Sequence, residues 1–416
     1  MRKSFLFKWI VVIWPLIGFI TILIVGSQSS WSSWYPPPSK AGLVSVILLS
    51  YTLTFLFCNR LTTYPIRNPI LLFFLITSLT HIGAIAIPGA FRFYYSRSFI
   101  LVSFLITLTW VSIGYLLSAH EKSNKRVGFV PDKYTEELTL MENYQWVDLS
   151  SAPSLDEAEI DIISADLHGA LTDDWRRFLA AASLSGIPLI DSATLYETVT
   201  GRISLPHLEN RSIDEVKTQY PAYLPIKRIL DMSLILIFSP LILLVMTIIA
   251  VAISIEGKGS IIFIQERVGY RSQIFKIYKF RSMSNFSDSQ PTKFTKKDDQ
   301  RITAVGRILR KHRLDELPQL INVLNGSMSL IGPRPEQHDF VTEYSDTIAF
   351  YPYRHSVKPG ITGWAQVSQG YTSTEKSTRK KLEHDFYYIK NVSPWLDFLI
   401  LIKTFNTILG GYGSRY

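Results

Sequence analysis

Two carboxylates stand side by side at Asp315 and Glu316, inside the stretch RLDELPQLINVLNGSMSLIGPRPE that runs from Arg313 to Glu336. Arg307, Arg310 and Arg313 come just before them, and Arg334 follows between two prolines. An ionised aspartate is a poor base near neutral pH but a workable nucleophile toward phosphorus. Phosphoryl transfer also needs a divalent ion and cationic clamps to hold the charge that develops on oxygen. The chain has one cysteine, Cys58, and eight scattered histidines without HExxH-like spacing. Mg2+ on carboxylate oxygen is then the natural metal, and Glu316 could supply the ligand. The prolines around Arg334 fix its backbone and preset its aim, and a guanidinium fork suits phosphate. The same residues also read as a capped, salt-bridged helix start, and this stretch alone leaves both readings open.

The elements around the pair decide how it is aimed. Adjacent residues point about 100° apart on a helix, so Asp315 and Glu316 either do different jobs or converge where a helix starts between them. Leu317, Leu320, Ile321 and Leu324 keep helical spacing after the pair. Pro318 suits a first turn, and a helix N-terminus favours negative charge. FKIYKFRSM (275–283) alternates apolar and basic residues. It is expected as a strand or helix edge that points Lys276, Lys279 and Arg281 at an anion, or as a solvated basic face. SVKPGITGWAQVSQG (356–370) is a Gly/Pro-punctuated loop with one cation, Lys358, and one large aromatic, Trp364. KLEHDFYYIKNVSPWLDFLILIKTF (381–405) reads as amphipathic helices on a membrane surface, with Tyr387, Tyr388 and Trp395 at headgroup depth.

Apolar residues make up 47% of the 416. Four apolar stretches near 7–26, 42–58, 69–89 and 98–118 each approach the roughly 20 residues that span a bilayer as a helix. The first continues past the apolar core of a signal peptide and reads as an anchor. Lys and Arg counts favour both ends of this bundle in the cytoplasm. Arg2, Lys3, Lys8, Arg60, Arg67, Lys122, Lys125 and Arg126 would lie inside, against Lys40, Arg92 and Arg97 outside. Residues 121–222 change character. KRVGFV (125–130), QWVDL (145–149), EIDIISA (159–165) and IPLID (187–191) look like strands. TDDWRRFLAAASLSG (172–186) looks like a helix capped by Thr172 and stopped by Gly186. Their alternation predicts a small α/β domain. It lacks a GxGxxG loop, and a structural or dimer-forming role fits it better than nucleotide binding.

A fifth apolar segment, 229–255, could cross the bilayer by length. Ser239-Pro240 falls near its middle, where proline removes a backbone donor and bends a helix. Lys227 and Arg228 precede it, and residues 256–416 hold 24 Lys and Arg against 15 Asp and Glu, which is the whole net charge of +9. Positive charge on both flanks favours a re-entrant helix over a kinked spanning one. The basic region would face anionic lipid or a phosphorylated substrate. No nucleic-acid motif is visible, so nucleic acid is not an expected partner.

KRILD…SP (227–240), FKIYKFRSM, LDELPQLINVLNGSMSLIGPRPE, KPGITGWAQV and HDFYYIKN together resemble the bacterial sugar transferase family, the monotopic phosphoglycosyl transferases. The resemblance covers roughly 223–416. It implies a membrane protein of three parts: a four-helix transmembrane bundle (1–120), a small Rossmann-like α/β domain (121–222) and an α-rich, membrane-associated catalytic domain (223–416) with a re-entrant helix at about 227–255, broken at Ser239 and Pro240. It implies transfer of a sugar 1-phosphate from a nucleoside diphosphate sugar, with uracil as the expected base, to polyprenol phosphate. That is the first membrane step of exopolysaccharide, capsule or O-antigen assembly. Asp315 would attack the sugar-side phosphorus and carry a covalent phosphosugar, and Glu316 would bind Mg2+. Arg310 and Arg334 would hold phosphate groups, Lys276, Lys279 and Arg281 would meet the diphosphate or lipid phosphate, and Lys358 would also bind substrate or its phosphates. Asp385 would be a polar partner of the site. Catalysis would sit at the cytoplasmic face of the bacterial inner membrane. Ser368-Gln369 stands where relatives often read Asn-Gly, which bears on loop shape or sugar choice. A non-catalytic membrane scaffold is the alternative reading. A transporter fits poorly, because the four spans carry almost no intramembrane charge.

Overall fold

A computed structural model describes residues 2–66, 69–91, 96–123, 125–141, 144–150, 160–209, 213–284, 301–369 and 375–410. Arg67, Arg92 and Gly370 lie outside them. The chain divides into two compact units, 1–199 and 200–416.

The first unit opens with α1 (Arg2–Trp31), α2 (Ala41–Leu61), α3 (Pro69–Phe91) and α4 (Arg97–Ser123). Each contains a stretch long and apolar enough to cross a membrane. Ile22, Leu43, Ile47, Tyr51 and Phe99 bury their side chains among one another. Leu16, Leu49, Leu79 and Leu101 point outward, as lipid-facing positions must. This is a membrane protein. The α/β part then runs β1 (Arg126–Phe129), α5 (Thr135–Thr139), β2 (Gln145–Asp148), β3 (Ile162–Ala165), α6 (Asp173–Leu184), β4 (Leu189–Asp191) and α7 (Ser192–Thr200). Its four strands are all parallel, in the order β2-β1-β3-β4. Thr172 caps α6 through the Trp175 amide, and Gly186 at φ +83° follows its end. All four expected strands and the expected helix are present.

The second unit holds α8 (Leu205–Glu209), α9 (Tyr223–Glu256), the antiparallel pair β5 (Ile262–Val268) and β6 (Ile274–Phe280), α10 (Ala304–Lys311), α11 (Gln319–Asn325), β7 (Ser329–Ile331), α12 (His338–Thr347), β8 (Gly360–Thr362), α13 (Trp364–Ser368), α14 (Glu375–Lys390) and α15 (Pro394–Gly410). The division falls at 199/200 and not at the expected 222. Residues 200–222 are tied to α13 and α14: Trp364 Nε1 donates to the Gly201 carbonyl at 2.8 Å, Arg202 pairs with Glu383 at 3.3 Å, and the Gln219 amide donates to Lys390 at 3.0 Å.

α9 runs as one continuous helix of 34 residues with Pro240 inside it, so the break expected at Ser239 and Pro240 is not present. Ser239 Oγ donates to the Leu236 carbonyl at 2.8 Å. Its two ends pack on the same unit. Ile235 joins Ile277, Val323 and Met328, while Ile249 and Ile253 join Phe280 and Leu309. Between them Leu236, Ile237, Leu241, Leu243, Leu244 and Ile248 are exposed.

The aromatic residues of 381–405 sit deeper than the sequence suggests. Tyr387 stacks on the Trp364 ring at 5.8 Å. Tyr388 donates to Asp397 Oδ1 at 2.9 Å and to the Ile331 carbonyl at 3.2 Å. Both are buried in protein, not at headgroup depth. A phenol with an internal hydrogen-bond partner loses the usual reason to stay at an interface.

Candidate active site

Asp315 and Glu316 do not lie on an α-helix. α10 ends at Lys311, and Arg313 takes a left-handed conformation (φ 54°, ψ 23°). This conformation is uncommon for a side chain with a Cβ. A 3-10 turn, Leu314–Glu316, follows, and Pro318 then leads into α11. The sharp turn between two short helices separates the two carboxylates. Glu316 is buried, whereas Asp315 keeps part of its surface open.

The cations around the pair are unequally shared. Arg334 Nη2 donates to Glu316 Oε1 at 2.6 Å, and Lys279 Nζ lies 3.8 Å from the same oxygen. Burial alone would raise the pKa of Glu316, but Arg334, Lys279 and Arg313 outweigh it and hold the carboxyl at about 2. Asp315 goes the other way. Burial and then the neighbouring Glu316 charge raise it, against the pull of Lys279, Arg310 and Arg334. Asp315 makes no hydrogen bond among the described residues. One acid is thus fixed and ionised, and the other is open and more basic, a separation that suits a divided pair. Lys279 has its own pKa lowered, first by burial and then by Arg334.

The supports of this pair lie on neighbouring elements. Thr303 caps α10 by accepting from the Gly306 amide at 2.9 Å, and Glu256 at the end of α9 accepts from the Val305 amide at 2.8 Å. Arg310 donates through Nε to Ser282 Oγ at 2.8 Å, which holds its guanidinium beside Asp315. Gly306 is required here, since a Cβ would lie 2.1 Å from the Ser282 carbonyl. The turn that bears Arg334 is clamped by backbone. The Gly332 amide donates to Thr362 at 2.9 Å, and the Gly360 amide donates to Pro333 at 3.0 Å. A Cβ on Gly360 would fall 2.0 Å from the Gly332 nitrogen. Beneath it, buried Arg354 donates to the Arg334 carbonyl at 2.9 Å and to Asp385 Oδ2 at 2.8 Å. Glu336 pairs with Lys381, and Arg354 and Arg267 each lie 3.9 Å away. Burial would raise the Glu336 carboxyl too, yet these cations hold it at about 2.

The expected site residues therefore fall into groups. Asp315, Glu316, Lys279, Arg310 and Arg334 come together. Asp385 is one step removed, behind Arg334, and reaches it by way of Arg354, which bonds both. Lys276 is exposed on β6, where strand alternation turns it away from the face that carries Lys279. Arg281 is not at the pair. Its guanidinium donates to the carbonyls of Ile253, Gly257 and Lys258, closing the C-terminus of α9, the usual place for a cation on a helix. Lys358 faces Arg228 and Asp231. Ser239 and Pro240 sit at the exposed middle of α9.

A family model described as bacterial sugar transferase matches residues 222–411. A UDP-N-acetylgalactosamine-undecaprenyl-phosphate N-acetylgalactosaminephosphotransferase of Aeromonas hydrophila is 38% identical over 389 residues, covering 92% of this chain and 91% of that protein. The chain belongs to the bacterial sugar transferase family. A UDP-glucose:undecaprenyl-phosphate glucose-1-phosphate transferase of Escherichia coli (strain K12) is 40% identical to this sugar transferase over 192 residues, 46% of this chain and 41% of that protein. An uncharacterized sugar transferase of Bacillus subtilis (strain 168) is 39% identical over 192 residues, 46% of this chain and 90% of that protein. Three residues of the transferase's site escape a reading of the sequence: Arg354, Glu336 and Ser282. Glu336 stands at the end of the quoted GPRPE, but nothing in a linear pattern marks it as the partner of three distant cations. Arg354 precedes the KPG loop by four residues without any local signal of its burial.

Proposed function

We propose that this transferase moves a sugar 1-phosphate from a UDP-sugar to undecaprenyl phosphate at the cytoplasmic face of the bacterial inner membrane. The observation that carries the reading is the division of the acid pair: Glu316 tied to Arg334 and Lys279, Asp315 half-buried beside Arg310. An Asp315 carboxylate oxygen attacks the sugar-side phosphorus, the bond from that phosphorus to the bridging oxygen breaks, and UMP leaves with the electron pair. A phosphate oxygen of the acceptor lipid then attacks the aspartyl phosphosugar and returns the carboxylate. Arg310 and Arg334 hold the phosphate oxygens as charge develops on them.

Glu316 fits Mg2+. Its carboxylate is held ionised, and both of its contacts fall on Oε1. No cluster of three His, Cys, Asp or Glu able to hold a metal occurs among the described residues. The substrate's phosphates would complete the coordination, as is usual for this ion. Bound there, Mg2+ would neutralise charge on the diphosphate. Re-entry of α9 is supported by the packing of both its ends on one unit around an exposed apolar middle. The full-length match to an N-acetylgalactosamine enzyme makes UDP-N-acetylhexosamines the first substrates to try. Purified chain, labelled UDP-sugars and undecaprenyl phosphate test the proposal. Label should enter the lipid extract with equimolar UMP, and Asp315→Asn should abolish both the transfer and the trapping of phosphosugar on protein. No transfer with any sugar in the panel would leave the scaffold reading standing instead.

A further inference from the structure

A second pair of cations lies apart from the acid pair, where α9 meets the end of α11. Arg228 donates to the carbonyls of Val323 and Leu324, the latter at 2.8 Å. These are C-terminal carbonyls of α11, so the guanidinium is fixed in place. Gly326 follows in a left-handed conformation, φ +89°. A Cβ built on Gly326 would sit 3.5 Å from Arg228 Nη2 and 3.7 Å from Lys358 Nζ. The two charged heads therefore converge over one bare glycine. A single small anion placed there reaches both.

The charges facing Lys358 are Arg228 and Asp231. Asp231 is buried and engaged elsewhere: its Oδ2 accepts from Ser329 Oγ at 2.6 Å and from the Leu330 amide at 3.3 Å. Lys358 makes no hydrogen bond among the described residues. Two cations against one occupied carboxylate leave a local excess of positive charge. The surroundings are apolar and open. Ile226, Ile229 and Leu230 on α9 and Leu324 on α11 are exposed, and the helix that carries the first three contains an 18-residue window of mean hydropathy 3.0. Cations set in an exposed apolar rim match the level of lipid headgroups, where acyl chains meet phosphate.

We infer that Arg228 and Lys358 form a site for the phosphate group of a membrane lipid, over Gly326 at the N-terminal end of α9. Arg228 supplies a fixed donor edge, Lys358 a mobile charge, and Gly326 the space.

The test uses the full chain purified in detergent. Native mass spectrometry counts retained lipid as phosphatidate, phosphatidylglycerol or diacylglycerol of the same acyl chains is added. Wild type should prefer phosphatidate to diacylglycerol, and Lys358→Gln should weaken that preference by roughly five- to tenfold. Lys358→Arg should keep it. Arg228→Gln also loosens the α11 carbonyls, so Lys358→Gln is the decisive variant, with its melting temperature measured alongside. Phosphatidylglycerol held as well as phosphatidate identifies a bulk phospholipid headgroup. Phosphatidate held alone identifies a terminal phosphate monoester. Equal retention of phosphatidate and diacylglycerol by wild type, or unchanged phosphatidate retention in Lys358→Gln, overturns the site.

Discussion

Asp315 and Glu316 are neighbours in sequence with opposite electrostatic fates, and that difference can be measured. Glu316 at about 2 stays ionised across the working range. Asp315 lies above the ordinary aspartate value of 3.8. The acid limb of kcat/KM should therefore reflect one group titrating above that value, and Glu316→Gln, which removes a charge that raises Asp315, should move the limb to lower pH as well as lower the plateau. A limb that stays in place with Glu316→Gln would contradict the assignment. Arg334→Gln should cost on the order of 10²-fold in kcat, as for loss of one aimed donor to a developing oxyanion. Arg334→Lys should restore only part, because a point charge cannot reproduce a fork. Stability carries the same signature. Glu316 and Glu336 are both held at about 2 against an ordinary 4.5. Their contribution is complete above the unfolded value and is lost as pH falls through the folded one. Thermal melts between pH 5 and 2 should show that decline, and Arg334→Gln should blunt it. The pair and its arginines were legible from residue type and spacing. Their unequal environments were not, because Lys279 and Arg334 reach Glu316 from a strand and a turn that are distant in sequence.

At the scale of elements, the sequence reveals apolar runs and strand alternation but not how helices end. The stretch 303–324 contains two helical patterns, and the left-handed Arg313 opens the turn that separates them, a conformation that residue type does not announce. Arg281 misleads for the same reason. Its place in a basic, alternating run suggests an anion, while the bare carbonyls at the end of α9 claim it first. Two predictions belong here. Thr303→Ala removes the α10 cap and should cost about 1 kcal/mol, read as a lower melting temperature with Asp315 still able to trap phosphosugar. Pro240→Ala restores a backbone donor to α9. In a Cys58→Ala background, cysteines at Pro225 and Lys258 should label from the same side of the membrane when Pro240 is present. Labelling from opposite sides would show a spanning helix. Pro240→Ala should lower activity along with any change in that pattern.

For the whole molecule, the division at 199/200 places every residue of the acid pair and its supports in one unit. The family model matches within this part, at residues 222–411, and the Bacillus subtilis sugar transferase matches 46% of this chain over 90% of its own length. Residues 200–416 expressed in membranes should then transfer sugar phosphate by themselves, and a preparation that folds yet fails would assign the first unit a share in the reaction. The separate match along the whole chain was foreseeable only in outline, since four apolar spans and a short parallel sheet carry little chemistry in their residue types. One feature of the second unit sets a limit on its variation. The turn that carries Arg334 meets the KPG loop through Gly332, Gly360 and Gly363, and the atoms that a Cβ at each would strike first are backbone. A crowded contact between side chains can be rescued by trimming a neighbour. This one offers nothing to trim. In a saturation library selected for transfer, these three positions should return glycine alone and yield no second-site suppressors, while nearby Ser368 and Gln369 accept many residues.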